Sequence, residues 1–239
     1  MFILLAFVAG AVRGYSGFGF AMILALGLLC RLAPTEVIPV VLTLDLVCSV
    51  SLWPAAVRVF DRVIGLRLVL GMWLAVPLGS LALARLPEQW MALVAAGICL
   101  AGGVLVLRRT SGDRAWGVLS KRWAFPAGLA SGLSTALASA GGPPLVVYLL
   151  RSGLGPAAVR GTAILFFAIS SASALALLAG LHVLHGGHLQ LAASLLVPAL
   201  AGNILGQWLF RRWPRSLQQI IGVLLVLLAA GTLASRLAR

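Results

Sequence analysis

The chain has 239 residues, 62% of them apolar and only 10% charged. A soluble domain carries about 45–50% apolar and about 25% charged residues, so a water-soluble globule is excluded and lipid must be the solvent. Eighteen basic residues against five acids give a net charge of +13; the Arg residues sit in short gaps between apolar runs and not on one polar face, which excludes a nucleic-acid-binding stripe and fits the positive-inside rule.

The first apolar segment, Met1–Cys30, is apolar from its first residue and lacks the basic stretch of a signal peptide. It is expected to be a membrane element and not a cleaved leader. Its length exceeds the ~20 residues that a span needs, and Arg13-Gly14-Tyr15-Ser16-Gly17-Phe18-Gly19 interrupts it. Three ordinary spans follow: Val37–Val57, Leu66–Ala84 and Trp90–Leu107. Arg108–Arg122 is the one polar, basic linker. Trp123–Leu150 is again too long for one span and is interrupted by Ser139-Ala140-Gly141-Gly142-Pro143-Pro144. The chain continues with Ala157–Leu181, Leu189–Phe210 and Leu217–Leu233. Trp53, Trp90, Trp123 and Trp213 lie near segment ends, as interfacial anchors do. Cys30, Cys48 and Cys99 are scattered among apolar residues and read as packing residues.

The two sides of the linker match in order. At an offset of 122, Gly10, Gly19, Leu32, Pro34 and Val37 fall on Gly132, Gly141, Leu154, Pro156 and Val159. At an offset of 127, Gly79, Arg85 and Pro87 fall on Gly206, Arg212 and Pro214. The fold class expected is therefore an all-α polytopic membrane protein of two four-segment repeats, 1–107 and 123–239, joined by a cytoplasmic linker 108–122. Proline and paired glycines break helices, and irregular backbone at membrane depth survives only inside protein or along a wet cavity. Segments 1 and 5 are thus broken helices or re-entrant hairpins. If segment 5 returns to its own side, 13 basic residues gather on one face of the membrane and four on the other, Arg13 left aside. The positive-inside rule favours that arrangement, and symmetry extends it to segment 1, giving inverted repeats.

The chemistry is expected at the two breaks. A half-helix ending at mid-membrane leaves N–H groups and partial positive charge at its N-terminus, which suits an anion; close helix packing is the competing explanation for the same small residues. The candidate substrate-binding residues are Arg13, Gly14, Tyr15, Ser16, Gly17 and Gly19 in the first break, and Ser139, Gly141, Gly142 and Pro143 in the second. Arg13 is an intramembrane charge whose planar guanidinium matches an oxyanion, unless it snorkels to an interface. Asp45 is the one acid inside an apolar run; it carries a coupling proton, or it pairs with Arg13 or accepts hydrogen bonds from a helix end, and the two readings can coexist. Asn203 and Gln207 share a helix face, and either line the pathway or bond neighbouring helices. Gly202 and Gly206, with Gly71, Ala75 and Gly79, read as small-residue packing faces. His182, His185 and His188 have metal-like spacing, but no acid or Cys is near and Gly186-Gly187 interrupts them, so a solvated loop is expected and no metal site.

Gly14-x-x-Gly17-Phe18-Gly19-Phe20, with Gly141-Gly142-Pro143-Pro144 at the matching place in the second half, resembles the sulfite exporter family TauE/SafE. The two-by-four layout, the basic linker and the length look like that family as well. The resemblance implies a multi-pass permease of a bacterial inner membrane that exports sulfite, sulfonates or other small organic anions. No nucleotide-binding motif is present, so an ion gradient or the membrane potential would supply the energy, with one half rocking against the other. An anion channel is the alternative function, and a membrane-embedded enzyme a poorer one, since five acids offer few convergent catalytic groups. The partners expected are a small anionic substrate and the lipid bilayer, with a homo-oligomer left open; no cofactor is expected.

Overall fold

A computed structural model describes residues 2–85, 97, 101, 104, 118–139 and 141–213. The segments Trp90–Leu107 and Leu217–Leu233, and residues 108–117 of the linker, lie outside those described. The described residues are helical throughout: α1 (Phe2–Ser16), α2 (Phe20–Leu29), α3 (Pro34–Val57), α4 (Arg62–Arg85), a single 3-10 turn (Lys121–Trp123), α5 (Ala124–Ala138), α6 (Gly142–Leu149), α7 (Pro156–Gly180) and α8 (Gly186–Arg212). Four of these helices, α3, α4, α7 and α8, are long and apolar enough to cross a membrane. Helices α3 and α7 start on a proline, where the missing N–H costs nothing.

Outward faces are as apolar as inward ones. Leu66, Leu70, Leu74 and Leu78 of α4 and Val197 and Ile204 of α8 are exposed, which only a lipid solvent tolerates in this number. The chain is a multi-pass membrane protein. Helix α2 is the innermost element, with all but Ala21 of its ten residues buried; a helix apolar on every side belongs in such a place.

Segments 1 and 5 are both broken, and each folds back. The Leu5 side chain of α1 lies against Gly27 of α2, so α2 returns alongside α1. After the second break α6 returns likewise: Leu119 N–H, before α5, donates to the Arg151 carbonyl, after α6, at 2.6 Å.

The closest crossings join elements from opposite sides of the linker. A Cβ on Gly10 or Gly14 would lie 2.2 and 2.0 Å from the Ala199 and Asn203 carbonyl oxygens of α8. In the other direction, a Cβ on Gly202 or Gly206 would lie 2.0 and 2.1 Å from the Phe7 and Ala11 carbonyl oxygens of α1. Backbone packs on backbone here, and the contacts advance together, so α1 and α8 run parallel. Helices α4 and α5 do the same: Gly128 abuts Leu68, Gly132 abuts Met72 and Gly79 abuts Ala136. Helices α3 and α7 cross antiparallel, since Gly161 touches Ala56 at one end while Asp45 meets Ser171 further along.

One end of the bundle collects most of the described basic residues. Asp61 N–H donates to Thr162 Oγ1 at 3.4 Å, joining the α3–α4 turn to the start of α7. The Arg160 guanidinium lies over the Phe210 ring near the end of α8. Arg58, Arg62, Arg151, Arg160, Arg211 and Arg212 therefore share an end.

Candidate functional site

Each half-helix before a break ends at a residue in the left-handed region. Gly17 has φ 83° and Ser139 has φ 51°. The first costs a glycine nothing; the second costs a serine about 1–2 kcal/mol. Each closes its half-helix in the same way, with Gly17 N–H donating to Arg13 O at 2.7 Å and Ser139 N–H donating to Thr135 O at 2.8 Å. Gly19, at φ 92°, then turns the chain into α2. Gly141 turns it into α6 from the ordinary helical region.

Between the breaks lies a cavity lined by Arg13, Gly19, Ala21, Met22, Asp45, Thr135, Ser139, Gly142 and Phe167. It has room for about one water. The N-termini of α2 and α6 both reach its wall. They are unequal donors: α2 opens with the amides of Phe20, Ala21 and Met22, whereas Pro143 and Pro144 leave α6 with the Gly142 amide as its first-turn donor.

Arg13 and Asp45 are the charged groups of this wall, and both are 1% exposed. Arg13 Nη1 lies 2.8 Å from Asp45 Oδ1. Arg13 Nη2 donates to Ser49 Oγ, which in turn donates to the Asp45 carbonyl. Ser171 Oγ of α7 donates to Asp45 Oδ2 at 2.8 Å. The Phe167 ring covers the guanidinium, its centroid 5.5 Å from Cζ. Arg13 Nε and Ser139 Oγ are buried without a hydrogen-bond partner. Groups left so in a low-dielectric interior each cost about 1–3 kcal/mol.

Of the residues singled out in the sequence, Arg13, Gly19, Asp45, Ser139 and Gly142 meet here. The others have different places. Gly14 packs on the α8 backbone. Tyr15 donates to the Trp213 carbonyl at 2.6 Å and meets the Phe210 ring edge-on. Ser16 donates to the Val12 and Phe18 carbonyls, so it serves the turn. Gly17 rests on Arg160, and Gly141 on Thr135 and Ser131. Pro143 is buried in α6. Asn203 donates to Cys48 O at 3.1 Å and Ser51 Oγ at 2.8 Å, tying α8 to α3. Gln207 is half-buried, its backbone against Gly14. Ala21, Met22, Thr135 and Phe167 are wall residues that the motif pattern does not point to.

The histidines differ from expectation in one respect. Gly186 and Gly187 open α8 instead of interrupting it, because His185 caps the helix and His188 Nδ1 accepts from the His185 N–H at 3.1 Å. The two rings stack with centroids 5.5 Å apart, far from the cavity wall. Among the described residues no group of three His, Cys, Asp or Glu is placed to hold a metal ion.

No curated protein and no solved structure matches the chain. The family model described as sulfite exporter TauE/SafE matches residues 2–232. That match runs through both breaks, the Arg13–Asp45 pair and every described helix, and on it the chain belongs to the sulfite exporter TauE/SafE family, a family of membrane transporters.

Proposed function

We infer that the chain is a secondary-active permease that exports small sulfur-containing or organic anions, sulfite and sulfonates among them, across the inner membrane. The observation that carries this reading is the Arg13–Asp45 pair, fully buried at the wall of a cavity between two half-helix ends. A guanidinium and helix N-termini both favour an oxyanion. The carboxylate beside them makes the wall neutral, and so makes binding conditional.

Two internal repeats, 1–107 and 123–239, joined by a cytoplasmic linker 108–122, account for how the site is built. Gly17 and Ser139 are 122 apart and share both the left-handed conformation and the closing hydrogen bond. Applying the offsets of 122 and 127 to the contact of Gly10 with Ala199 gives Gly132 with Met72, which is also a contact. Counterparts α3 and α7 cross antiparallel, as inverted repeats would. Segments 1 and 5 then read as re-entrant hairpins, and the shared end of the basic loops as cytoplasmic.

The cycle follows from size and charge. Room for about one water is too little for an oxyanion, so this conformation is an unloaded one and loading has to part Arg13 from Asp45. Asp45, parted from Arg13, is then the one acid of the wall that can carry a proton with the anion. Anion and proton thus enter the site together, and Asp45 is the coupling residue. Thr135 and Ser139 hydroxyls and the α2 amides would complete the shell around Arg13.

A thermal-shift screen of the purified protein with sulfite, sulfate, thiosulfate and short sulfonates tests the reading, since a ligand of the folded state raises the melting temperature. The expected result is a shift with at least one sulfur oxyanion that Arg13→Gln abolishes. Uphill, saturable uptake into proteoliposomes is then expected; dissipation of gradients alone would make the protein a channel.

A further inference from the structure

Arg160 differs from the other described basic residues. It stands near the start of α7, yet its side chain crosses to the break in segment 1. Its Nη2 donates to the Gly14 carbonyl at 2.6 Å. Its Cζ lies 4.7 Å from the Phe210 ring centroid. A Cβ on Gly17 would fall 2.9 Å from its Cγ, so the tip of α1 rests on its stem. Its Nε is buried and has no hydrogen-bond partner.

No described carboxylate compensates this charge. Asp45 is taken by Arg13. Asp61 accepts the Ile64 N–H at 2.8 Å. Glu36 sits in the first turn of α3, at the other end of the bundle. Its two contacts, the Gly14 carbonyl and the Phe210 ring, each stand next in the chain to another arginine, Arg13 and Arg211. A part-buried guanidinium held by one carbonyl and one ring, with no carboxylate beside it among the described residues, is an expensive way to hold a helix end. Capping the last turn of α1 explains the bond to Gly14, but a neutral amide would serve there without burying a charge.

We propose that Arg160 is the first binding point for the anion on its way from the basic end to Arg13, and that the same guanidinium latches the tip of α1 until the anion takes it. The proposal rests on the permease reading above. Arg211, Arg160 and Arg13 then form a descending series of cations from that end of the bundle to the cavity. An oxyanion accepts two parallel N–H bonds from a guanidinium edge and outcompetes a neutral carbonyl for it. Once the anion holds Nε and Nη2, Gly14 loses its donor. The last turn of α1, which carries Arg13 one residue earlier, is then free to move away from Asp45. Loading the outer point loosens the inner one.

The test uses the full chain in inside-out and right-side-out membrane vesicles, with radiolabelled sodium sulfite as the probe, beside thermal-shift titrations of the purified protein with the same salt. Arg160→Gln is expected to raise KM about tenfold, the worth of one charge-assisted hydrogen bond, at the face that carries the Arg151–Arg160 loop. KM at the opposite face and the equilibrium affinity for sulfite are expected to stay within about threefold, the scatter ordinary for a site left intact. Arg160→Lys, which keeps the charge and loses the fork, should fall between. A KM unchanged at both faces, or raised equally at both, overturns the proposal. So does a variant whose only defect is a lower melting temperature, since that is what a structural cap alone would give; Arg160→Lys keeps the test open if Arg160→Gln does not fold. A wild-type protein with neither a sulfite-dependent shift nor flux would overturn the permease reading itself, and this proposal with it.

Discussion

Asp45→Asn separates the two jobs assigned to the buried pair. The carboxylate sits 2.8 Å from Arg13 Nη1 and accepts from Ser171, and both charges are almost wholly out of contact with solvent. Removing one member of such a pair leaves the other buried and uncompensated, at a cost of about 3–5 kcal/mol. For a chain of this size that is a fall in melting temperature on the order of 10 °C. The same change removes the competitor for Arg13, so an added anion should recover most of that loss, and the anion-induced shift should exceed that of the wild type. Proton coupling supplies the sharper readout. If the anion brings one proton with it, wild-type affinity falls up to about tenfold per pH unit as pH rises through the range where Asp45 ionises. The variant, with no carboxyl, should show no such slope. Methanesulfonate is the suitable probe because its own charge is constant from mild acid to mild alkali, and the assay is a thermal-shift titration at several pH values. An Asp45→Asn protein that keeps the wild-type slope would refute the coupling role, and one as stable as wild type without anion would refute the ion-pair reasoning.

Three further outcomes are expected. A Cβ at position 202 would lie 2.0 Å from the Phe7 carbonyl, against at least 3.4 Å for an ordinary contact. Gly202→Ala should therefore force α1 and α8 apart and lower both melting temperature and transport, while Gly180→Ala, with nothing within 4 Å, should change neither. Ser139→Gly relieves the left-handed strain and deletes an unpaired hydroxyl, so it should raise apo stability by about 1–2 kcal/mol while weakening anion binding; equal affinity would remove Ser139 from the site. Phe167→Ala uncovers Arg13 and enlarges the cavity, which should cost about 3–5 kcal/mol and extend binding to bulkier sulfonates, readable by the same screen.

Much of this arrangement could be read from the sequence because lipid simplifies it. Charges and helix breakers are costly there, so Arg13, Asp45 and the two interrupted segments stand out against an apolar background. The small-residue faces at Gly202 and Gly206 were legible for the same reason. Motif adjacency misled at Gly14, Tyr15, Ser16 and Gly17: the first two follow Arg13 by one and two helical residues, turned from it by ~100° and ~200°, and so face α8, while Ser16 and Gly17 make the turn itself. Thr135 and Phe167 carried no signal as single residues, yet they follow Arg13 and Asp45 by 122 positions. Applying the offset of 122 to Arg13 and Asp45 as well would have pointed to both. Arg160 looked like one more loop arginine, and only the crossing of its side chain to Gly14 sets it apart.

The glycine-lined crossings carry a consequence for how the molecule moves. With four backbone-to-backbone contacts locking α1 to α8, and a matching seam between α4 and α5, a simple rocking of the N-terminal half against the C-terminal half would tear both seams. If access alternates, the pieces left free to travel would be chimeric. One pairs the first tip with the seventh segment, and the other pairs the fifth tip with the third. Each moving body then needs both halves of the chain, so a gene cut in the linker should yield fragments that work only when made together.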